Sequence, residues 1–253
     1  MSILDLFSLS GRVAIITGAS SGLGVHAATG LADAGADVVL VARRAERLEQ
    51  TKALVEESGR ECVVVTGDVA DPETAELTVA AAMEAFGKVD VLVNNAGVGT
   101  AYPATRETPE QFRQVIDINL NGSYWMAQAC GRVMEPGSSI INISSVLGFT
   151  TAGLPQAAYA SSKAAVVAMA RDLAQQWTGR KGIRVNAIAP GFFESEMTEQ
   201  YPDGYLDKMM GRIPAGRKGN PEEFVAAVIY LASAASGYCT GMCLPVDGGM
   251  LTT

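Results

Sequence analysis

Short runs of β-branched and aliphatic residues recur along this chain, each followed by a longer amphipathic stretch. The runs are Arg12–Thr17, Asp37–Val41, Cys62–Thr66, Val89–Val93, Ser139–Ile143 and Ile183–Ile188. A strand that is apolar on both faces belongs in a parallel sheet covered on both sides by helices. The helix starts are marked chemically, by a capping side chain before a proline in Asp71-Pro72, Thr108-Pro109 and Asn220-Pro221. Gln111 and Glu223 follow the second and third caps at capping-box spacing. Alternating strands and helices with short connections give right-handed crossovers. The expected fold class is therefore α/β, with a doubly wound, mostly parallel sheet. No repeat or Pro/Gly/Ser linker divides residues 1–253, so one domain is expected. The stretch from about Phe192 to Arg217 breaks the alternation with Met, Phe, Tyr and Gly, and reads as an inserted flap.

Composition removes several function classes. The net charge is −8, so the chain lacks the basic face that displaces counterions from phosphate, and no nucleic-acid partner is expected. The same balance disfavours an anionic membrane surface, and no window approaches 18 uninterrupted apolar residues. Four cysteines and one histidine, His26, far from the Cys239/Cys243 pair, give no metal site. Reduced thiols in a cytoplasmic setting are the expectation. Residues 1–7 lack the basic start and apolar run of a signal peptide.

The first run leads directly into Thr17-Gly18-Ala19-Ser20-Ser21-Gly22-Leu23-Gly24. There Gly18 would turn the chain, Gly22 would let backbone approach a pyrophosphate, and Gly24 would pack a helix tightly on a strand. The N–H groups and dipole of the new helix would attract the phosphates. The second run ends in Ala42-Arg43-Arg44. A carboxylate at this place grips the free ribose hydroxyl of NAD, whereas arginine accommodates the 2′-phosphate of NADP. The bland alternative, a solvated helix start, suits Arg44 better than Arg43.

Tyr159 and Lys163 stand four residues apart in an alanine-rich segment, so on a helix they share a face. A neighbouring ammonium favours tyrosinate and brings the phenol towards working pH. Such a tyrosine can act as the acid in carbonyl reduction and the base in alcohol oxidation.

Taken together these motifs resemble the short-chain dehydrogenase/reductase family, over nearly the whole length from Arg12 to Met250. The glycine turn Thr17–Gly24 is similar to the family's cofactor turn. Asp68-Val69 resembles its adenine-contacting pair, Asn94-Asn95-Ala96-Gly97 its fourth-strand motif, and Pro190-Gly191 its turn beside the nicotinamide. The resemblance implies a Rossmann domain with a seven-stranded sheet and catalytic roles for Asn119, Ser145, Tyr159 and Lys163. Ser145 would hold the carbonyl oxygen, Tyr159 would pass the proton, and Lys163 would lower the tyrosine pKa and bind ribose. Asn119 would hold a water leading from Lys163 to solvent. It further implies NADP(H) contacts from Gly18, Ser20, Ser21, Gly22, Leu23, Gly24, Arg43, Arg44, Asp68, Val69, Asn95, Ala96, Gly97, Tyr159, Lys163, Pro190, Gly191, Phe193 and Ser195. Ser195 replaces the family's usual threonine, and Ser21 stands where NADP-using relatives often carry a basic residue. Ser144 and Ser145 are adjacent, and the interval to Tyr159 is about one residue longer than usual. Ser145 is the expected catalytic serine because it precedes Val146-Leu147-Gly148, and Ser144 is expected to make a structural hydrogen bond.

The resemblance implies an NADPH-dependent carbonyl reductase, reversible as an alcohol dehydrogenase, with a small ketone or alcohol as substrate and a homotetramer as assembly. A 3-oxoacyl-carrier-protein reductase is an alternative carried by Arg212–Glu222 and Thr240–Gly249. Glu194, Glu196, Glu199, Asp203 and Asp207 in the flap argue against docking an acidic carrier, with Arg180, Lys181 and Arg184 left as a possible patch. A polyol or sugar dehydrogenase and a non-catalytic dinucleotide-binding module are the others. Phe192, Phe193, Met197, Tyr201, Tyr205, Met209 and Met210 are candidates to line an apolar substrate pocket.

Overall fold

A computed structural model describes residues 2–193 and 204–253. The flap residues Glu194, Ser195, Glu196, Met197, Glu199, Tyr201 and Asp203 lie outside the described residues.

In chain order the elements are β1 (Val13–Thr17), α1 (Gly22–Asp33), β2 (Asp37–Ala42), α2 (Ala45–Glu56), β3 (Cys62–Thr66), α3 (Pro72–Phe86), β4 (Val91–Asn94), α4 (Pro109–Ile116), α5 (Gly122–Val133), β5 (Ser139–Ile143), α6 (Ala157–Lys181), β6 (Arg184–Pro190), α7 (Tyr205–Met210), α8 (Pro221–Ala232) and β7 (Cys243–Val246). The strands form one seven-stranded α/β sheet in the order β3-β2-β1-β4-β5-β6-β7. Every pairing is parallel, a stricter arrangement than the mostly parallel sheet expected. The order reverses between β1 and β4, and in doubly wound sheets ligands bind at that point, beyond the carboxyl ends of the strands.

Alternation along each strand explains the two faces. Ala14, Ile16, Val38, Leu40, Val91 and Val93 pack under α1, α2 and α8, with Leu31, Leu48 and Phe224 fully buried there. Val13, Ile15, Val39, Val41 and Leu92 face α3, α5 and α6, with Met126 and Ala170 among their partners. Truncating one such side chain, Phe224→Ala for example, costs about 3–5 kcal/mol in lost transfer energy and cavity.

The expected helix starts hold side chains in capping geometry. Asp71 accepts the Glu73 N–H at 2.9 Å. Thr108 and Gln111 exchange bonds at 3.3 and 2.9 Å. Glu223 accepts the Asn220 N–H at 2.8 Å and is clamped by both terminal nitrogens of Arg217. Among the described residues no helix is long and apolar enough to cross a membrane.

Candidate active site

A cleft of about 530 Å³ opens at the carboxyl edge of the sheet. Segments following β1, β2, β3, β4, β5 and β6 line it, so residues far apart in sequence converge there.

The turn after β1 is built for close backbone approach. Gly18 has φ +66°, and a Cβ there would stand 2.8 Å from the Ala96 Cα. A Cβ on Gly24 would be driven into the Gly18 carbonyl oxygen. Thr17, buried at the end of β1, accepts the N–H groups of Asn95 and Ala96 at 3.0 Å each. The Asn95 amide answers by donating to the Thr17 and Gly18 carbonyls. Ser21, at the N-cap of α1, makes no side-chain capping bond. The first-turn N–H groups of α1 thus lack the side-chain cap that usually satisfies one of them, which suits them to a phosphate. This glycine turn, with its uncapped helix N–H groups, fits the pyrophosphate of a dinucleotide.

Arg43 and Arg44 line the same cleft beside Ser20 and Asp68. Arg43 pairs with Asp68 at 3.6 Å, an exposed contact of small strength. Arg44 is the N-cap of α2, yet its guanidinium folds back onto the glycine turn. It donates to the Ser20 hydroxyl at 3.3 and 3.2 Å and to the Ser20 carbonyl at 3.4 Å. Arg44 is thus an exposed helix start, as the bland alternative had it, whose guanidinium also reaches the glycine turn. Ala42, the last residue of β2, is uncharged, and the mouth of the cleft presents two guanidiniums. Val69, Leu23, Gly97, Pro190, Gly191 and Phe193 also line the cleft.

Ser145, Tyr159 and Lys163 line the cleft's deeper part. Lys163 is 4% exposed, and its ammonium donates to the Ile143 carbonyl at 2.7 Å. It lies 5.7 Å from the Tyr159 ring centroid. Burial lowers the Lys163 pKa from 10.5 to about 8, because desolvation penalises the charged form. The two serines differ in what they do. Ser144 donates to the Lys163 carbonyl at 2.7 Å. The Ser145 oxygen accepts the Leu147 N–H at 3.1 Å, so its hydrogen can be given elsewhere.

Asn119 sits in a wide π-type turn, Asp117–Asn121, between α4 and α5. It is fully buried. Its Oδ1 accepts the Val98 N–H at 2.8 Å, and its Nδ2 donates to the Val98 carbonyl and the Ser162 hydroxyl, each at 3.0 Å. Sequence reasoning singled out neither Ser162 nor Thr17. Both are common residue types inside recognised motifs, and only their long-range partners reveal them.

Phe192, Tyr205 and Met209 are buried in one apolar cluster with Tyr159, Leu147 and Ala152, while Met210 is partly buried against it. The Tyr205 hydroxyl donates to the Ala152 carbonyl at 2.7 Å, tying α7 to the segment before Tyr159. Phe193 both lines the cleft and packs edge-on against Phe224, with centroids 6.1 Å apart. Among the described residues no group of three or more His, Cys, Asp or Glu side chains could hold a metal ion.

A family model described as Enoyl-(Acyl carrier protein) reductase matches residues 18–251. A short-chain type dehydrogenase/reductase from Mycobacterium marinum superposes with a TM-score of 0.94 at 34% identity, over 98% of this chain and 99% of its own. The chain belongs to the short-chain dehydrogenase/reductase family. Gluconate 5-dehydrogenase of Gluconobacter oxydans (strain 621H) is 38% identical over 99% of this chain and 98% of its own length. A gluconate 5-dehydrogenase from Burkholderia cenocepacia J2315, solved in complex with NADP and tartrate, is 34% identical with a TM-score of 0.92 over the whole of both chains. This is an oxidoreductase family, and the cleft is where its members' chemistry would be carried by this chain.

Proposed function

We propose that the protein is an NADP(H)-dependent oxidoreductase that interconverts a ketone and a secondary alcohol. The observation that carries this reading is a single cleft holding the phosphate cradle and two arginines at its mouth and Ser145, Tyr159 and Lys163 further in. The NADP-bound relative supports it.

Gly18, Ser20, Ser21, Gly22, Leu23 and Gly24 would hold the pyrophosphate, and Arg43 and Arg44 the 2′-phosphate. Asp68 and Val69 would meet the adenine. Asn95, Ala96 and Gly97, with Tyr159 and Lys163, would hold the second ribose, and Pro190, Gly191 and Phe193 the nicotinamide. Ser195 belongs to the same proposal from sequence alone. When bound, the cofactor supplies or accepts the hydride.

The chain's own groups handle the oxygen and its proton. Ser145 donates its hydrogen to the substrate oxygen, whose negative charge grows as hydride reaches the carbonyl carbon. Tyr159 gives its phenolic proton to that oxygen in reduction and takes it back in oxidation. The Lys163 ammonium stabilises the tyrosinate left behind. Asn119 has committed both amide hydrogens, and its two oxygens each accept one bond, from the Val98 N–H and the Ser123 hydroxyl, so a water relaying protons from Lys163 would take a second lone pair of one of them. Of the flap residues expected to line the substrate pocket, Phe192 and Phe193 line the cleft, whereas Tyr205 and Met209 do not and would instead bury the flap against the segment around Leu147 and Tyr159.

The gluconate 5-dehydrogenase relatives favour a second reading, a sugar acid as the substrate. The deciding measurement is NADPH and NADH consumption by the purified protein against aryl ketones, 3-oxoacyl thioesters, keto-sugars and keto-sugar acids. Absence of turnover across the panel, with no NADPH binding, would overturn the proposal.

A further inference from the structure

We infer that Ser162 is a positioning residue for this reaction, whose hydroxyl joins Val98 in fixing the orientation of the Asn119 amide beside Lys163. The inference rests on the function proposed above and adds a residue to it. Ser162 is fully buried, one place before Lys163 on α6. Its hydroxyl donates to the Tyr159 carbonyl at 2.7 Å, which uses the single hydrogen it owns. Towards Asn119, 3.0 Å away, its oxygen can therefore only accept. An acceptor at that place demands the nitrogen end of the Asn119 amide, as does the Val98 carbonyl, and the Val98 N–H demands the oxygen end. The amide is locked in one of its two orientations.

That choice matters because of what faces Gly97. A Cβ there would stand 3.3 Å from both Asn119 Oδ1 and Lys163 Nζ, so the amide oxygen and the ammonium flank the same glycine. An amide oxygen on that side favours the protonated lysine, and an amide nitrogen would oppose it. A protonated lysine in turn favours the tyrosinate of Tyr159. Among the described residues the surrounding charges are engaged elsewhere. Tyr159 is the titratable neighbour on α6, and burial is the cause of the Lys163 shift. Asp117 on the π-type turn accepts from Asn121 at an exposed site. Glu110 and Arg113 on α4 pair with each other in solvent. Arg43, Arg44 and Asp68 lie at the cleft mouth, Arg43 paired with Asp68 and Arg44 turned onto Ser20. The strand ends and the Asn95–Gly99 segment contribute no ionisable side chain.

The test compares wild type, Ser162→Ala and Ser162→Cys by the pH profile of alcohol oxidation, kcat, NADPH affinity and melting temperature. Removing the hydroxyl should lower kcat about tenfold and raise the apparent pKa of oxidation by about half a unit or more. NADPH affinity should stay within about twofold, because Ser162 does not line the cleft. The cysteine, a weaker donor and acceptor, should fall between, and it carries the test alone if the alanine protein does not fold. A variant that melts earlier yet keeps the wild-type midpoint and kcat would mean a purely structural serine and overturn the inference. Wild-type turnover that survives Tyr159→Phe would instead overturn the underlying reaction.

Discussion

The Lys163 ammonium donates to the Ile143 carbonyl at 2.7 Å while lying 5.7 Å from the centre of the Tyr159 ring. The end of β5 thus holds the lysine in place one helical turn from Tyr159.

Replacing Tyr159 by Phe removes one hydroxyl and little volume. Turnover should fall by about 10²–10⁴-fold, the usual worth of a general acid–base, with NADPH binding unchanged. Steady-state kinetics beside a fluorescence titration of NADPH separates the two. Near wild-type turnover would sink the assignment.

The adjacent serines should part company. Ser145→Ala removes the donor to the substrate oxygen and should reduce kcat about 10²-fold or more. Ser144→Ala loses one buried hydrogen bond to the Lys163 carbonyl and should cost about 1 kcal/mol of stability with kcat largely kept. Denaturant melts and initial rates of both variants provide the check, and the reverse pattern would move the oxyanion contact to Ser144.

The stability of the cofactor-free protein should carry a signature of Lys163. Its pKa is lowered to about 8 in the folded chain from an ordinary 10.5. Between these values the unfolded chain binds more protons, so this residue makes stability rise with pH across that window. Below about pH 8 both states are protonated and the cost of the buried ammonium, about 3 kcal/mol, is fully present. Lys163→Met should therefore relieve that cost most at pH 7 and least near pH 10, offset at every pH by the lost bond to Ile143. Urea melts of both proteins at pH 7 and 9.5 test it, and a difference that does not narrow with pH contradicts the burial argument.

Cofactor choice should follow the two arginines. Each charge-assisted bond to a 2′-phosphate is worth about 1.5–3 kcal/mol, so one suffices for a preference of about tenfold or more for NADPH over NADH. Arg43→Ala and Arg44→Ala should each weaken NADPH selectively. Ala42→Asp with Arg43→Ala should reverse the preference without changing the proton chemistry. The quantity to compare is kcat/KM for both cofactors with one fixed ketone, and a wild-type preference for NADH would remove the arginines from this role.

The sequence by itself determined the α/β class, six of the strands, the capped starts of α3, α4 and α8, and the glycine turn. Each of these is encoded by near neighbours: a run of β-branched residues, a cap before a proline, a spacing of glycines, an interval of four between Tyr159 and Lys163. Strand β7 left no such mark. It is an edge strand, half-buried and interrupted by Pro245, so it shows neither the apolar run nor the uninterrupted ladder of a central strand. Only the tertiary structure decided the rest. It supplied the partner of the structural bond expected for Ser144, a carbonyl 19 residues away. It turned Arg44 back across 24 residues onto Ser20, and it brought Asn119 to Ser162 across 43. Such bonds join side chains whose identities carry no local pattern, and they exist because parallel strands with right-handed crossovers deliver separate loops to the same edge of the sheet.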